Sequence, residues 1–367
     1  MDEGLLKEEE RAVYALRALY RRYGYLPYKM SKFEEYDLYV RNKDFLISDR
    51  IITFNDTNGK LMALKPDVTL SIIKNGDDRP GCKQKVCYNE NVYRVSGSTH
   101  QYKEIMQTGL ECIGDIDLYD IFEAVFLAAE SLALIDPDFV LDVSHLGLLA
   151  ALLDGVGDDE ELRRGIGRCL AEKNRHDLER LCRQKGVAEE KIPELSLFTG
   201  IYGDMDAVLR RLRPLCESET ACKALRELET LRDLLAETPY ASRIHFDFSI
   251  VNDMAYYNGI VFRGFLSGIC EGVLSGGQYD KLMEKMGRRA GAVGFALYLD
   301  LLETLNPVRG ESDVDVLLLY DEATAPRELA KTIRTLVSEG KSVSAQKAAP
   351  PKLRFETQID LRKEGSV

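Results

Sequence analysis

Residues 92–114 read VYRVSGSTHQYKEIMQTGLECIG. This stretch predicts two antiparallel strands joined by a polar loop. The first strand ends in Tyr93-Arg94, and Ser96-Gly97-Ser98-Thr99 is too polar and too rich in Gly and Ser for a core element. The second strand carries Gln107 and Glu111. Strand side chains at even separation point to one face, so the amide and the carboxylate share a wall, with Arg94 beside the loop. Such a pair on a half-buried face costs free energy unless something satisfies it. A cationic ligand with donors to spare would do so.

Upstream, residues 8–23 have the period of an amphipathic helix with Val13, Leu16, Leu19 and Tyr20 on one face, stopped by Gly24. Residues 25–39 read as an extended segment running into a short helix. Residues 46–54 and 61–64 read as strands around the turn Asp56-Thr57-Asn58-Gly59, and Pro66-Asp67 opens a helix over 68–75. Downstream, residues 118–134 form a long apolar helix and 140–143 a strand. Residues 146–236 are then almost wholly helical in pattern, and their arginines (Arg163, Arg164, Arg168, Arg175, Arg180, Arg183) alternate with acids, as on a solvated surface. Strand signals resume at 244–248 and 254–265. Ser275-Gly276-Gly277 leads to a helix over 279–286, and 291–305 is a strand-to-helix element with Gly294 at close packing. The last sixty or so residues hold one βαβ unit (314–320, 326–339, 342–346) with a short tail.

The 367 residues exceed one ordinary core, and the domains expected are 1–143 with 240–306 as a core, 144–239 as a helical insertion, and 312–367 as a truncated C-terminal α/β unit. Hydrophobic content of 45% and charge of 30% fit a soluble globular protein. A net charge of −12 argues against a large nucleic-acid surface. No apolar run is long enough to span a bilayer, and the acidic start MDEGLLKEEER has no signal-peptide pattern, so a cytoplasmic location is expected. The eight Cys include no C-x-x-C pair and the four His are not spaced as ligands. Reduced thiols and no metal site are therefore expected.

Four segments narrow the α+β pattern. Leu64-Lys65-Pro66-Asp67-Val68-Thr69 looks like the LRPEGT of class II aminoacyl-tRNA synthetases. Residues 92–111 are similar to their motif 2, with Arg94 and a QLGxE-like Gln107-Thr108-Gly109-Leu110-Glu111. Met254-Ala255-Tyr256-Tyr257-Asn258-Gly259 resembles the RGLDYYNG of the histidyl enzyme. Gly276-Gly277-Gln278-Tyr279-Asp280, with Gly294, resembles its GGRYD and motif 3 glycine. Together they cover residues 10–305 and imply a class II synthetase-like antiparallel sheet flanked by helices.

The resemblance implies a histidine pocket. Asp67, Thr69 and Gln107 would accept from the α-ammonium, Glu111 from an imidazole N–H, and Tyr256 and Tyr257 would supply a flat wall and a hydroxyl. Arg94 is the nearest group for the carboxylate. Each residue also has a structural reading: Asp67 could cap the helix after it, Glu111 could pair with an arginine, and the tyrosines could be packing.

Amino-acid activation needs fixed cations around the developing phosphoryl charge, and losing one costs about 2.7–4 kcal/mol. Arg94 is kept. Where the family has an Arg four residues before the tyrosine pair stands Asn252, and where motif 3 has its Arg stands Leu301. Ser96 replaces a motif 2 acid, and Ser31 stands at the motif 1 proline. Two lost cations predict a chain without adenylation chemistry, and the short tail predicts no tRNA reading.

That pattern resembles the regulatory subunits of ATP phosphoribosyltransferase, catalytically silent relatives of histidyl-tRNA synthetase. The resemblance implies no catalytic residues and no cofactor of its own. It also implies a homodimer built through the N-terminal helix and residues 24–39, a short catalytic phosphoribosyltransferase chain as partner, a place in histidine biosynthesis, and L-histidine as ligand in feedback. The alternatives are a divergent histidyl-tRNA synthetase and a free-standing histidine-binding paralogue.

Overall fold

The computed structural model describes residues 8–42, 51–76, 81–95, 101–156, 159–251, 257–304 and 312–362. The chain divides into two compact units, residues 1–305 and 306–367.

The first unit opens with α1 (Glu8–Arg22), whose Val13, Leu16, Leu19 and Tyr20 are buried as the periodicity requires. Gly24 ends it at φ 83, a left-handed conformation that only glycine adopts without strain, and Tyr25 N–H donates back to the Tyr20 carbonyl. The short strand β1 (Leu26–Pro27) follows. Then β2 (Phe33–Glu35), α2 (Tyr36–Arg41), β3 (Thr53–Asn55) and β4 (Leu61–Leu64) build a small antiparallel sheet in the order β2-β4-β3. The strand expected over 46–54 is seen at its end only, since residues 43–50 lie outside the described residues. In the turn, Asp56 Oδ1 accepts from Asn58 and Lys60 N–H, both at 2.8 Å, and Gly59 sits at φ 79.

After α3 (Thr69–Lys74) come the two long strands of the hairpin, β5 (Lys83–Val95) and β6 (Tyr102–Gly114). They pair antiparallel from Lys83↔Gly114 to Val95↔Tyr102. Both are longer than their apolar stretches suggested, because ladder bonds carry the polar ends along. One face of this hairpin, through Leu110 and Cys112, packs under α1 and α4 (Leu118–Ile135). Asp117 caps α4 by accepting from the Tyr119 and Asp120 N–H groups, and Asp120 answers in a capping box. The other face, through Val86, Tyr88 and Ile113, packs against Val68, Leu70 and Ile73 of the α3 region and Leu282 of a later helix.

From β7 (Phe139–His145) the chain runs through α5 (Leu146–Leu153), α6 (Glu160–Ala171), α7 (Arg175–Gln184), α8 (Lys191–Phe198), the strand β8 (Tyr202–Asp204), α9 (Met205–Leu212) and α10 (Glu219–Ala236). Apolar residues of these helices, such as Leu149, Ile166 and Leu228, belong to the same core cluster as Leu110 and Leu141 of the sheet. The arginine-rich surface is ion-paired with its interleaved acids: Arg175 with Glu179 (2.9 Å) and Arg180 with Asp177 (2.8 Å). β9 (Ile244–Asp247) joins β7 in parallel and β8 antiparallel. Then β10 (Ile260–Leu266), β11 (Leu274–Gln278), α11 (Asp280–Lys285) and β12 (Gly291–Tyr298) complete a nine-stranded sheet in the order β1-β5-β6-β12-β11-β10-β7-β9-β8, and a 3-10 helix (Leu299–Thr304) follows. An antiparallel-dominated sheet flanked by helices is the α+β architecture expected from the sequence.

The second unit contains β13 (Val314–Leu319), α12 (Pro326–Ser338), β14 (Val343–Gln346) and β15 (Phe355–Asp360), with all strands parallel in the order β14-β13-β15. Leu336 of α12 packs on Val316 and Leu318. β15 adds a third strand within what the sequence offers only as a short tail. Its sequence FETQID is mostly polar and its residues are half-buried or exposed, so it carries little hydrophobic signal.

Candidate functional site

On β6 a period of two places Gln107, Gly109, Glu111 and Ile113 on the face opposite α1 and α4, and register brings Tyr88 across from Gly109 and Val86 across from Glu111. Gln107 and Glu111 are each 2% exposed. Two hydroxyls answer the Glu111 carboxylate: Thr69 Oγ1 donates at 2.8 Å and Tyr279 OH at 2.5 Å. Burial pushes the Glu111 carboxyl up to about 8 against the pull of those two hydrogen bonds, and Asp67 adds to the rise. Gly294 lies opposite Glu111 on β12, and a Cβ there would sit 1.8 Å from Glu111 Oε2. The glycine expected at close packing is the space that the carboxylate occupies.

Asp67 caps α3 by accepting from Leu70 N–H at 2.9 Å. Its structural reading is thus realised, and it also faces the site. Burial raises its pKa, while the Leu70 N–H and the Arg94 guanidinium hold it down. Arg94 reaches the same segment, its Nε donating to the Pro66 carbonyl at 2.9 Å. Tyr93 N–H donates to the Lys65 carbonyl, and the fully buried Lys65 ammonium pairs with Glu90 at 2.9 Å. Segment 65–67 is thereby fastened to β5, which fixes Asp67 and Thr69 relative to Glu111.

The motifs downstream serve this site by holding strand ends. Asn258 Nδ2 donates to Asp280, Asp280 N–H donates to Asn258 Oδ1 (2.8 Å), and Gln278 Oε1 accepts from Ile260 N–H (2.8 Å). Tyr257 is half-buried and packs where a side chain on Gly277 would stand. Tyr256 and Asn252 lie outside the described residues, as does the loop 96–100. Of the expected residues, Asp67, Thr69, Arg94 and Glu111 are brought together, Gln107 shares their sheet face, and Tyr257 borders them.

Sequence reasoning missed two hydroxyl groups. Tyr279 stands at a helix start and in the GGRYD-like segment, neither of which ties it to Glu111, yet its hydroxyl is the nearest partner of that carboxylate. Tyr88 is buried, and its hydroxyl is held well above its ordinary pKa by burial, with Glu111 and Asp67 adding to the rise. The signal for Tyr88 was Gly109, whose added Cβ would meet the Tyr88 hydroxyl at 2.7 Å.

The cluster is rich in acceptors and short of cations, with Arg94 at its edge. Leu301, where the motif 3 cation was sought, is half-buried and packs on the main core. Arg288 is committed to the end of α3, donating to the Ile73, Lys74 and Gly76 carbonyls. Among the described residues, no cluster of His, Cys, Asp and Glu could hold a metal, and no helix is long and apolar enough to cross a membrane.

Comparison with known proteins places this architecture. The histidyl-tRNA synthetase family model matches residues 3–302. A protein of Oceanobacillus iheyensis named ATP phosphoribosyltransferase regulatory subunit is 27% identical over 286 residues, covering 77% of this chain and 70% of its own length. One of Clostridium botulinum with the same name is 25% identical over 84% of this chain and 75% of its own. Among solved structures, an ATP phosphoribosyltransferase regulatory subunit/histidyl-tRNA synthetase from Bacillus halodurans superposes with a TM-score of 0.76 at 24% identity, covering 100% of this chain and 97% of that one. A chain of the ATP phosphoribosyl transferase (HisG:HisZ) complex from Thermotoga maritima gives 0.62 at 19% identity, covering 81% and 98%. The motif resemblance is thus matched by relatives that bear the regulatory-subunit name, and the chain belongs to the histidyl-tRNA synthetase family.

Proposed function

We propose that this chain is a non-catalytic regulatory subunit that binds and activates a short ATP phosphoribosyltransferase catalytic chain, in the first step of histidine biosynthesis, and carries part of the response to histidine. One contrast supports the reading. The acceptor groups suited to an amino-acid ligand remain, Gln107 and Glu111 on the sheet and Asp67 and Thr69 on the α3 segment packed against it, while the motif 3 position holds Leu301 packed in apolar surroundings. L-histidine would bring its ammonium to Asp67 and Gln107 and an imidazole N–H to Glu111. Feedback needs a ligand with different affinity for two states of the assembly, and a retained pocket on a silent chain is suited to that. A homodimer built through the N-terminal helix and residues 24–39 belongs to the same proposal.

The test is copurification with a short phosphoribosyltransferase chain from the native host. Recovery of that chain supports the reading, and recovery of this protein alone opposes it. A divergent histidyl-tRNA synthetase is the second reading, favoured by Arg94 beside Asp67 and by a family model that bears that enzyme's name. Histidine-dependent exchange between pyrophosphate and ATP would establish it.

A further inference from the structure

The face that carries Glu111 continues across β12, β11, β10 and β7 and opens at its far end into a cavity of about 320 Å³. Asp142, Arg263 and Ser275 line it as register partners on three neighbouring strands. Two further charged groups line it, Lys173 and Asp247, and they are spoken for. Lys173 Nζ pairs with Asp247 Oδ2 at 2.9 Å and lies 4.0 Å over the Tyr202 ring, while Asp247 Oδ1 accepts from Ser249 N–H.

Asp142 and Arg263 are different. His245 Nδ1 stands 3.7 Å from Asp142 Oδ1, beyond hydrogen-bond range. Burial, and after it the neighbouring Asp247, push the Asp142 carboxyl up to about 6 against the pull of His245 and Lys173, neither of which comes within hydrogen-bond distance of it. Arg263 makes no ion pair among the described residues. Its stem rests where a Cβ on Gly272 would sit 2.3 Å from Nε, and its guanidinium lies 5.8 Å from the Phe265 ring centre. A carboxylate and a guanidinium on adjacent strands therefore open on one cavity without meeting. Leu146, Ile250, Val261 and Tyr257 give the cavity an apolar side.

We propose that this cavity binds an α-amino acid with an apolar or aromatic side chain, its ammonium on Asp142, its carboxylate on Arg263, and its side chain against Ile250 and Tyr257. An α-amino acid hangs both charges on one carbon, and register partners on adjacent strands stand about 5 Å apart, so one ligand reaches both. A simple amine leaves Arg263 unanswered, and a simple anion meets Asp142 and Asp247. This site is separate from the Glu111 cluster, shares Tyr257 with it among the described residues, and does not depend on the regulatory reading.

Isothermal titration of the full chain with L-phenylalanine and L-leucine tests it, with 2-phenylethylamine and 3-phenylpropanoate as probes that each lack one charged group. At least one amino acid should bind at millimolar concentration or below, and each one-charge probe should bind about tenfold more weakly or worse. Asp142→Asn and Arg263→Gln should each weaken the amino acid by about tenfold or more. Gly272→Ala, which displaces the Arg263 stem while leaving both charges in place, should weaken it by a smaller factor. Glu111→Gln should leave this binding intact while weakening that of L-histidine. No heat from either amino acid, equal binding of 2-phenylethylamine, or loss of binding in Glu111→Gln rather than in Asp142→Asn would overturn the assignment.

Discussion

At one end of the site face Glu111 is met by the hydroxyls of Thr69 and Tyr279. At the other, Asp142 lies beside Asp247 of the neighbouring strand on the wall of a cavity, with Arg263 next to it and not bonded to it. Both carboxyls are raised by burial, yet only the first has its hydrogen bonds supplied by the protein. The comparison teaches that a buried acid alone does not mark a ligand site. What marks one is which groups its surroundings leave unanswered. At the Glu111 end a ligand must displace or extend an existing network, whereas at the Asp142 end it would complete one.

Breaking the internal pairing at the first end should have the largest effect. Lys65 is fully buried against Glu90, and Lys65→Ala leaves that carboxylate without its cation, a loss of about 3–5 kcal/mol. Arg263→Gln at the open end should change stability by roughly 0.5 kcal/mol or less, since no ion pair among the described residues is broken. Denaturant titration of both variants checks the contrast, and equal losses would erase it.

The two glycines sharpen it further. Gly294→Ala drives a methyl into Glu111 Oε2 and toward the Leu110 carbonyl, so it should cost about 1–3 kcal/mol. Gly272→Ala meets only the flexible Arg263 side chain and should be close to neutral in stability. Thermal melts of the two variants measure the difference directly.

The smaller effects are pH slopes. A folded-state pKa above the unfolded value means that the native chain keeps a proton the unfolded chain has released. The stabilisation from Glu111 is therefore complete below about 4.5, declines as pH rises, and is gone above about 8. For Asp142 the corresponding window runs from about 3.8 to about 6. Glu111→Gln should flatten stability between pH 5 and 8, and Asp142→Asn only the lower window. Urea unfolding across pH would show this, and a slope unchanged in Glu111→Gln would contradict the burial argument.

Much of this site could be read from the chain because its signals are local. Gln107 and Glu111 share a face by a period of two, Pro66-Asp67 opens a helix, and Gly24 and Gly59 stand where left-handed backbone is needed. The parts that could not be read depend on register between distant strands. Tyr279 reaches Glu111 over 168 positions of sequence, and the Asp142–Arg263–Ser275 row exists only once β7, β10 and β11 are aligned. The strands β8 and β15 were missed for a different reason: they are short or polar and owe their place to ladder bonds with a neighbour rather than to buried side chains.

A regulatory role is decided by the rate of phosphoribosyl transfer by a short ATP phosphoribosyltransferase chain, with and without this protein, at rising L-histidine. Activation should saturate as the two chains associate, and inhibition by histidine should be weakened in Glu111→Gln. No association and no change in rate, together with histidine-dependent pyrophosphate–ATP exchange by this chain alone, would contradict it.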